Sequence, residues 1–189
     1  MTDVFVYGTL KTSFVNYNLY LKPAMDKHKA TKRGDAVTVS PFPLVVGGDR
    51  CVPFLLDVPG EGEQIYGEVY TVDDACLQAL DLLENVSTGY YKRVKIPVIL
   101  NNETIASYVY IRSVEPNDPL LNLKKISCYT SEEAKEYKSR SEYPNLEILA
   151  YIYDIEIHRL PELEMDIHAL LQQGHTFQKA LITLLGEDK

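Results

Sequence analysis

The sequence predicts an α+β fold on three observations. β-rich runs fill the first two-thirds of the chain, one amphipathic helix interrupts them, and a helical hairpin follows Leu160. With 189 residues, 46% of them hydrophobic and 24% charged, the chain is long enough to bury about 70% of its unfolded surface around one core. There is no internal repeat or low-complexity tract, and the 10 glycines and 10 prolines punctuate short segments instead of marking one long linker. The expected organisation is one domain over residues 1–159 with a C-terminal helical extension over 160–189.

Residues 4–7, ending at Gly8, read as a short strand. Residues 36–39, 44–46, 52–56, 65–72, 93–100, 105–111 and 146–153 follow as further β-rich runs. Pro59-Gly60-Glu61-Gly62 is a strong turn signal between two runs and Asn101-Asn102-Glu103 is a second, so two antiparallel hairpins are expected. Between them, Asp73 or Asp74 can cap a helix running to about Asn85, with Cys76, Leu77, Leu80 and Leu83 on one side. Thr130-Ser131-Glu132-Glu133 fits a capping box that opens a polar helix through about Arg140. Beyond Leu160, Leu163, Ile167, Leu170 and Leu171 recur at helical spacing, and Phe177, Leu181, Leu184 and Leu185 repeat the template after Gly174. Periodicity does not say whether this hairpin packs on the β-rich body or on a second copy of the chain.

Charge and motif content remove several function classes. Lys and Arg number 19 against 27 Asp and Glu, and the net charge of −8 argues against a phosphate-backbone binder and so against nucleic acid. The longest strongly apolar stretches, such as 148–153, fall far short of the ~18 residues of a membrane span. Met-Thr-Asp precedes Val4 with neither a basic nor a long apolar segment, so no secretory or transit peptide is visible and the cytosol is the expected compartment. Cys51, Cys76 and Cys128 are odd in number and widely spaced, which suits buried thiols better than a disulfide framework or a zinc site. The triplets beginning at Asn85 and Asn102 match the glycosylation pattern but have no secretory signal behind them. No Gly-x-Ser-x-Gly elbow, phosphate-binding Gly-x-x-x-x-Gly-Lys loop or His-Glu-x-x-His motif is present, and Gly60-x-Gly62 sits in a turn between β-rich runs. Glu164 and His168 stand at i, i+4 without a third ligand, and His28, His158 and His175 lack partners at a recognisable spacing, so no metal is expected.

Two features remain. At ~100° per residue, Glu84 projects between Leu77 and Leu80, so a carboxylate interrupts the apolar stripe of the central helix. Such a carboxylate is paired, protonated with a raised pKa, or lining a cavity. A salt bridge to Lys92 or Arg93 is the structural alternative to a functional one. The second feature is Tyr7-Gly8-Thr9-Leu10-Lys11, directly after the first strand and followed by Asn16. Glycine permits φ > 0 and close approach of a ligand, and successive backbone N–H groups there can form an anion-binding nest suited to a carboxylate; taken alone, such a segment is an ordinary turn.

Residues 4–11 with Asn16, then Pro43-Leu44-Val45, Pro59-Gly60-Glu61-Gly62, Gly67-Glu68-Val69-Tyr70, and Leu80-Asp81 through Glu84 to Tyr91-Lys92-Arg93, resemble in order and spacing the γ-glutamylcyclotransferase-like family, and within it the γ-glutamylamine branch. The resemblance spans roughly residues 4–100. It implies a small mixed β-barrel with a helix packed beside it, substrate binding by Tyr7, Gly8, Thr9 and Leu10, and Glu84 as the catalytic acid/base. Two departures stand out: Ser13 occupies a place where the family often has glycine, and the hairpin after Leu160 has no matching counterpart.

The implied reaction takes a γ-glutamyl amide, closes its α-amine onto its own γ-carbonyl, and releases 5-oxoproline and a free amine without a cofactor. A γ-glutamyl amine, with γ-glutamyl-ε-lysine foremost, is the implied substrate; γ-glutamyl amino acids and glutathione are alternatives. So is a non-catalytic pocket or interaction protein on the same fold. Tyr90 and Tyr91 follow the helix and can orient the carboxylate or simply pack, and Arg93 can bind a carboxylate or pair with an acidic neighbour. The Glu115-Pro116-Asn117-Asp118-Pro119 stretch is a candidate flap over the site.

Overall fold

Strand β1 (Thr2–Val6) obeys a period of two: Val4 and Val6 join a core shared with the helices, whereas Phe5 points into the core of the β-structure. The computed structural model, which describes residues 1–139 and 144–185, builds around this strand a closed barrel. Its further strands are β2 (Ala30–Thr38), β5 (Tyr66–Val72), β6 (Lys92–Leu100) and β7 (Glu103–Ile111), in the order β1-β5-β2-β6-β7. All neighbours are antiparallel except β1 and β7, which close the barrel in parallel at Val4 and Tyr108. A second sheet, ordered β4-β3-β8, comprises β3 (Leu44–Gly47), β4 (Val52–Leu55) and β8 (Lys125–Ile126). Gly67 is required by close approach: a Cβ there would lie 2.5 Å from the Phe5 ring and 2.4 Å from the Val6 carbonyl oxygen, space that the barrel gives to Phe5.

Helix α2 (Asp74–Leu83) starts where the Asp73 carboxylate accepts from the Cys76 N–H at 2.7 Å, and it buries Cys76, Ala79 and Leu80. After β1 the chain passes through a π-helical turn, Tyr17–Leu21, into the short α1 (Lys22–Asp26). Helices α3 (Leu146–Tyr153), α4 (Leu160–Gln172) and α5 (Phe177–Leu185) follow. Helix α3 packs on α2, α4 packs on α3 and α5, and Leu163, Ile167, Ala180 and Leu181 enter the same core as Val4, Val6 and Leu80. The C-terminal hairpin therefore packs on the body of its own chain. No described helix is long and apolar enough to cross a membrane.

Several sequence expectations need correction. Residues 146–153 form a helix, not a strand: Asn145 caps it by accepting from the Glu147 N–H at 2.8 Å, and Ile148, Leu149, Ala150 and Ile152 are all buried. A short apolar run buried on several sides carries no period that separates helix from strand. The turn at 59–62 exists, but it does not close a hairpin: β4 pairs with β3 in the outer sheet while β5 pairs with β1 and β2 in the barrel. The hairpin of β6 and β7 forms as expected through Asn101 and Asn102, whose φ values of 52° and 65° suit a tight two-residue turn. The capping box at Thr130 also forms, with the Thr130 N–H donating to Glu133 at 2.9 Å, but only the 3-10 turn Glu133–Glu136 follows it; Arg140 lies outside the described residues. Cys76 is buried, whereas Cys51 and Cys128 are half-buried. Among the described residues no three or more metal-ligating side chains converge, and Glu164 and His168 are both exposed.

Candidate active site

The loop after β1 is built by local hydrogen bonds. The Lys11 N–H donates to the Gly8 carbonyl at 3.0 Å, the Tyr17 N–H to the Thr9 carbonyl at 3.0 Å, and the Asn16 side-chain amide to the Thr9 hydroxyl at 2.8 Å. Leu10 is buried in the helical core and pins the turn from below. Gly8 does not take the left-handed conformation that its residue type suggests; that conformation falls to Ser13, at φ 75°. Glycine is needed at position 8 because Pro53 abuts it, and a Cβ would lie 2.6 Å from the Pro53 ring. Among the described residues the N–H groups of Gly8, Thr9 and Leu10 have no backbone acceptor outside the strands and helices.

At its exit the loop is tied to the barrel. Glu68 on β5, 9% exposed, accepts from the Thr12 N–H at 2.8 Å, the Thr12 hydroxyl at 3.0 Å and the Tyr70 hydroxyl at 2.8 Å, and pairs with Lys32 on β2 at 2.8 Å. Burial alone would push this carboxyl up; the Lys32 ammonium and the Thr12 and Tyr70 donors outweigh it and leave Glu68 below its ordinary value. This acid is a structural anchor for the loop.

Glu84 caps the C-terminal end of α2, where its N–H donates to the Leu80 carbonyl. Asn85 and Gly89, both left-handed at φ 51° and 73°, then turn the chain back and deliver Tyr90 and Tyr91 to the same side. The cations weighed as structural partners of Glu84 are held by other acids: Lys92 pairs with Asp57, and Arg93 with Asp81 at 2.7 Å. A cavity of about 550 Å³ has Tyr7, Gly8, Thr9 and Leu10 on one wall and Glu84 on another. The structure thus places Tyr7, Gly8, Thr9 and Leu10 after β1 and Glu84 after α2 around one cavity, although the two segments lie far apart in the chain; Arg93 does not line it.

Phenols crowd the same cavity. Tyr7 donates to the Tyr110 carbonyl at 2.9 Å, Tyr91 donates to the Pro53 carbonyl at 3.1 Å, and Tyr110 donates to Asp81 at 2.8 Å. Burial holds all three far above the ordinary phenol range, and the nearby Glu84 charge adds to the effect in each. They are neutral donors at any working pH, and the field of Glu84 reaches all of them. Tyr91 also stacks on Phe54 at 5.9 Å, so it serves both packing and the cavity wall.

Comparison with known proteins shows the family and the fold. The family model described as gamma-glutamyl cyclotransferase, AIG2-like, matches residues 4–133, more than half the chain. The chain belongs to this family. A Drosophila melanogaster protein named putative gamma-glutamylcyclotransferase is 37% identical over 138 residues, covering 73% of this chain and 86% of the relative. A Bos taurus protein named gamma-glutamylaminecyclotransferase is 38% identical over 118 residues, covering 61% of this chain and 68% of its own length. The crystal structure of an AIG2-like protein from Mus musculus superposes with a TM-score of 0.65 at 32% identity, covering 76% of this chain and 99% of that one. The γ-glutamyl cyclotransferases are an enzyme family, and the small mixed barrel with its packed helix is their fold.

For a member of this family, sequence reasoning left out several cavity residues. Tyr110 from β7, Pro53 from β4, Arg50, and Asn145 at the start of α3 line the space, and none neighbours the two motifs in sequence. Tyr90 and Tyr91, which the sequence offered either for orienting the carboxylate or for packing, both line the cavity. Among the described residues the Glu115–Pro119 stretch does not line the cavity, whereas Tyr137, Ser139, Pro144 and Asn145 do.

Proposed function

We propose that this protein cyclises the glutamyl part of γ-glutamyl amines to 5-oxoproline and releases the free amine, with γ-glutamyl-ε-lysine as its best substrate. In the reaction the α-nitrogen bonds to the γ-carbon, the γ-carbon to amine bond breaks, and one proton passes from the first nitrogen to the second. The N–H groups of Gly8, Thr9 and Leu10 grip the α-carboxylate, which is the end that must curl. Nucleophile and electrophile belong to one molecule, so holding the curled shape supplies effective molarities of ~10⁵ M or more in favourable cases. Glu84 takes the proton from the attacking amine and returns it to the leaving amine, and the neutral phenols of Tyr7 and Tyr91 complete its surroundings. Neither a cofactor nor water enters the balance. Residues 1–159 form the catalytic body in this reading, and 160–189 an appended helical pair.

The observation that supports this reading best is the single cavity shared by the turn Tyr7 to Leu10 and the Glu84 carboxylate. The names of the bovine and other relatives favour amines over amino acids as the leaving group. The test is 5-oxoproline release from γ-glutamyl-ε-lysine, γ-glutamyl-alanine and glutathione. Turnover of the first, lost by about 100-fold or more in Glu84→Gln with the fold intact by circular dichroism, supports the reading. Wild-type turnover in Glu84→Gln refutes the acid/base role.

A further inference from the structure

A second cavity of about 360 Å³ adjoins the first and shares Thr9, Val15 and Tyr137 with it. The rest of its wall combines carbon from Phe14, Ala134 and the ring of Tyr129 with Ser13, Ser131 and Lys135, and carbon makes up most of the lining. Phe14 and Tyr129 meet at 5.3 Å between ring centroids. Tyr129 is fully buried, yet its hydroxyl has no hydrogen-bond partner among the described residues. A buried phenol left unpaired is destabilising unless a ligand or water completes it.

We propose that this second cavity receives the amine side of the scissile amide: an unbranched aliphatic chain lies along Phe14 and Ala134, and a polar group at its far end bonds to the Tyr129 hydroxyl. The inference rests on the proposed reaction and extends it to the leaving group. Thr9, Val15 and Tyr137 line both spaces, so in this proposal a substrate whose carboxylate sits on the loop extends its amide substituent past Thr9 into the second. A carbon-lined wall favours methylenes, each contributing up to about 4-fold in affinity when fully buried.

The test uses γ-glutamyl methylamide, γ-glutamyl n-butylamide and γ-glutamyl-ε-lysine, with kcat/KM from 5-oxoproline release and dissociation constants from calorimetry on the full chain. For the wild type, kcat/KM and affinity should both rise from methylamide to n-butylamide by about 10-fold or more. Ala134→Phe, which fills the cavity, should erase that gain. Tyr129→Phe should lower kcat/KM for γ-glutamyl-ε-lysine about 5-fold relative to n-butylamide, and should raise the melting temperature of the free protein by removing the unpaired hydroxyl. Flat chain-length dependence in both readouts, or an equal loss for all amides in Ala134→Phe, overturns the subsite while leaving the reaction standing. Chain-length-dependent binding with no 5-oxoproline from any amide supports the subsite and refutes the reaction. Absence of both binding and turnover refutes both.

Discussion

Glu68 is bonded to the loop after β1 at Thr12 and Glu84 lines the cavity that the loop also lines, and the two acids meet contrasting surroundings. Glu68 lies on a strand, with donors from Thr12 and Tyr70 and the Lys32 ammonium saturating its oxygens. Glu84 sits at the end of a helix, where the dipole disfavours a negative charge, and it faces a cavity walled by phenols. The first acid is held ionised and spends its hydrogen-bonding capacity inside the protein. The second stands beside a space that a small molecule can enter. Burial of a carboxylate is therefore not by itself a mark of function: the buried Glu68 ties a loop to the barrel, whereas the half-buried Glu84 borders a cavity.

Four substitutions break or sharpen that contrast. The largest effect is expected for Glu84→Gln, where kcat should fall about 100-fold or more while the melting temperature hardly moves, because the isosteric amide keeps the shape but carries no proton. Gly8→Ala should come next. Its Cβ would meet Pro53 at 2.6 Å, so the loop or strand β4 must shift, destabilising the fold by about 1–3 kcal/mol and raising KM. Calorimetric unfolding and steady-state kinetics on the same preparation read both.

Glu68→Gln should reverse the pattern of Glu84→Gln: stability falls by about 1–3 kcal/mol, KM rises through the loosened loop, and kcat changes least. A pH series separates the two acids further. The folded pKa of Glu68 is depressed, so its stabilising contribution is fully present above the ordinary value of 4.5 and disappears as pH falls through the lowered value. Acid unfolding of Glu68→Gln should lack that step. The smallest effect belongs to Ser13→Gly: relief of the left-handed φ of 75° should stabilise the protein by up to about 1 kcal/mol, with little change in kcat.

The legible parts of the site are those encoded over short spans. The loop at Tyr7 to Leu10 follows a β-rich run that stops at Gly8, and Glu84 was visible as one polar position on the projected apolar stripe of the central helix, whose Asp73 cap was also legible; the helix itself ends at Leu83 and Glu84 is its C-cap. The role of Asn16, by contrast, needed coordinates, since only they show its amide fixing the Thr9 hydroxyl. Residues 17–26 gave no periodic signal because a π-helical turn and a helix of one and a half turns are too short to establish one. Gly8 was legible as a glycine but for another reason, close approach of Pro53 in place of a positive φ.

By itself the sequence determined the α+β class, the strands β1 and β5 to β7 to within a few residues, the central helix and the C-terminal pair, since propensity, capping and apolar periodicity all act within a few residues of chain. Tertiary structure alone decided that β1 closes the barrel beside β7, that residues 146–153 coil into a helix against α2, and that Tyr110, Pro53 and Tyr129 shape the cavities. Those outcomes depend on contacts between residues far apart in the chain, where burial on a shared core selects among conformations that local sequence leaves equally open.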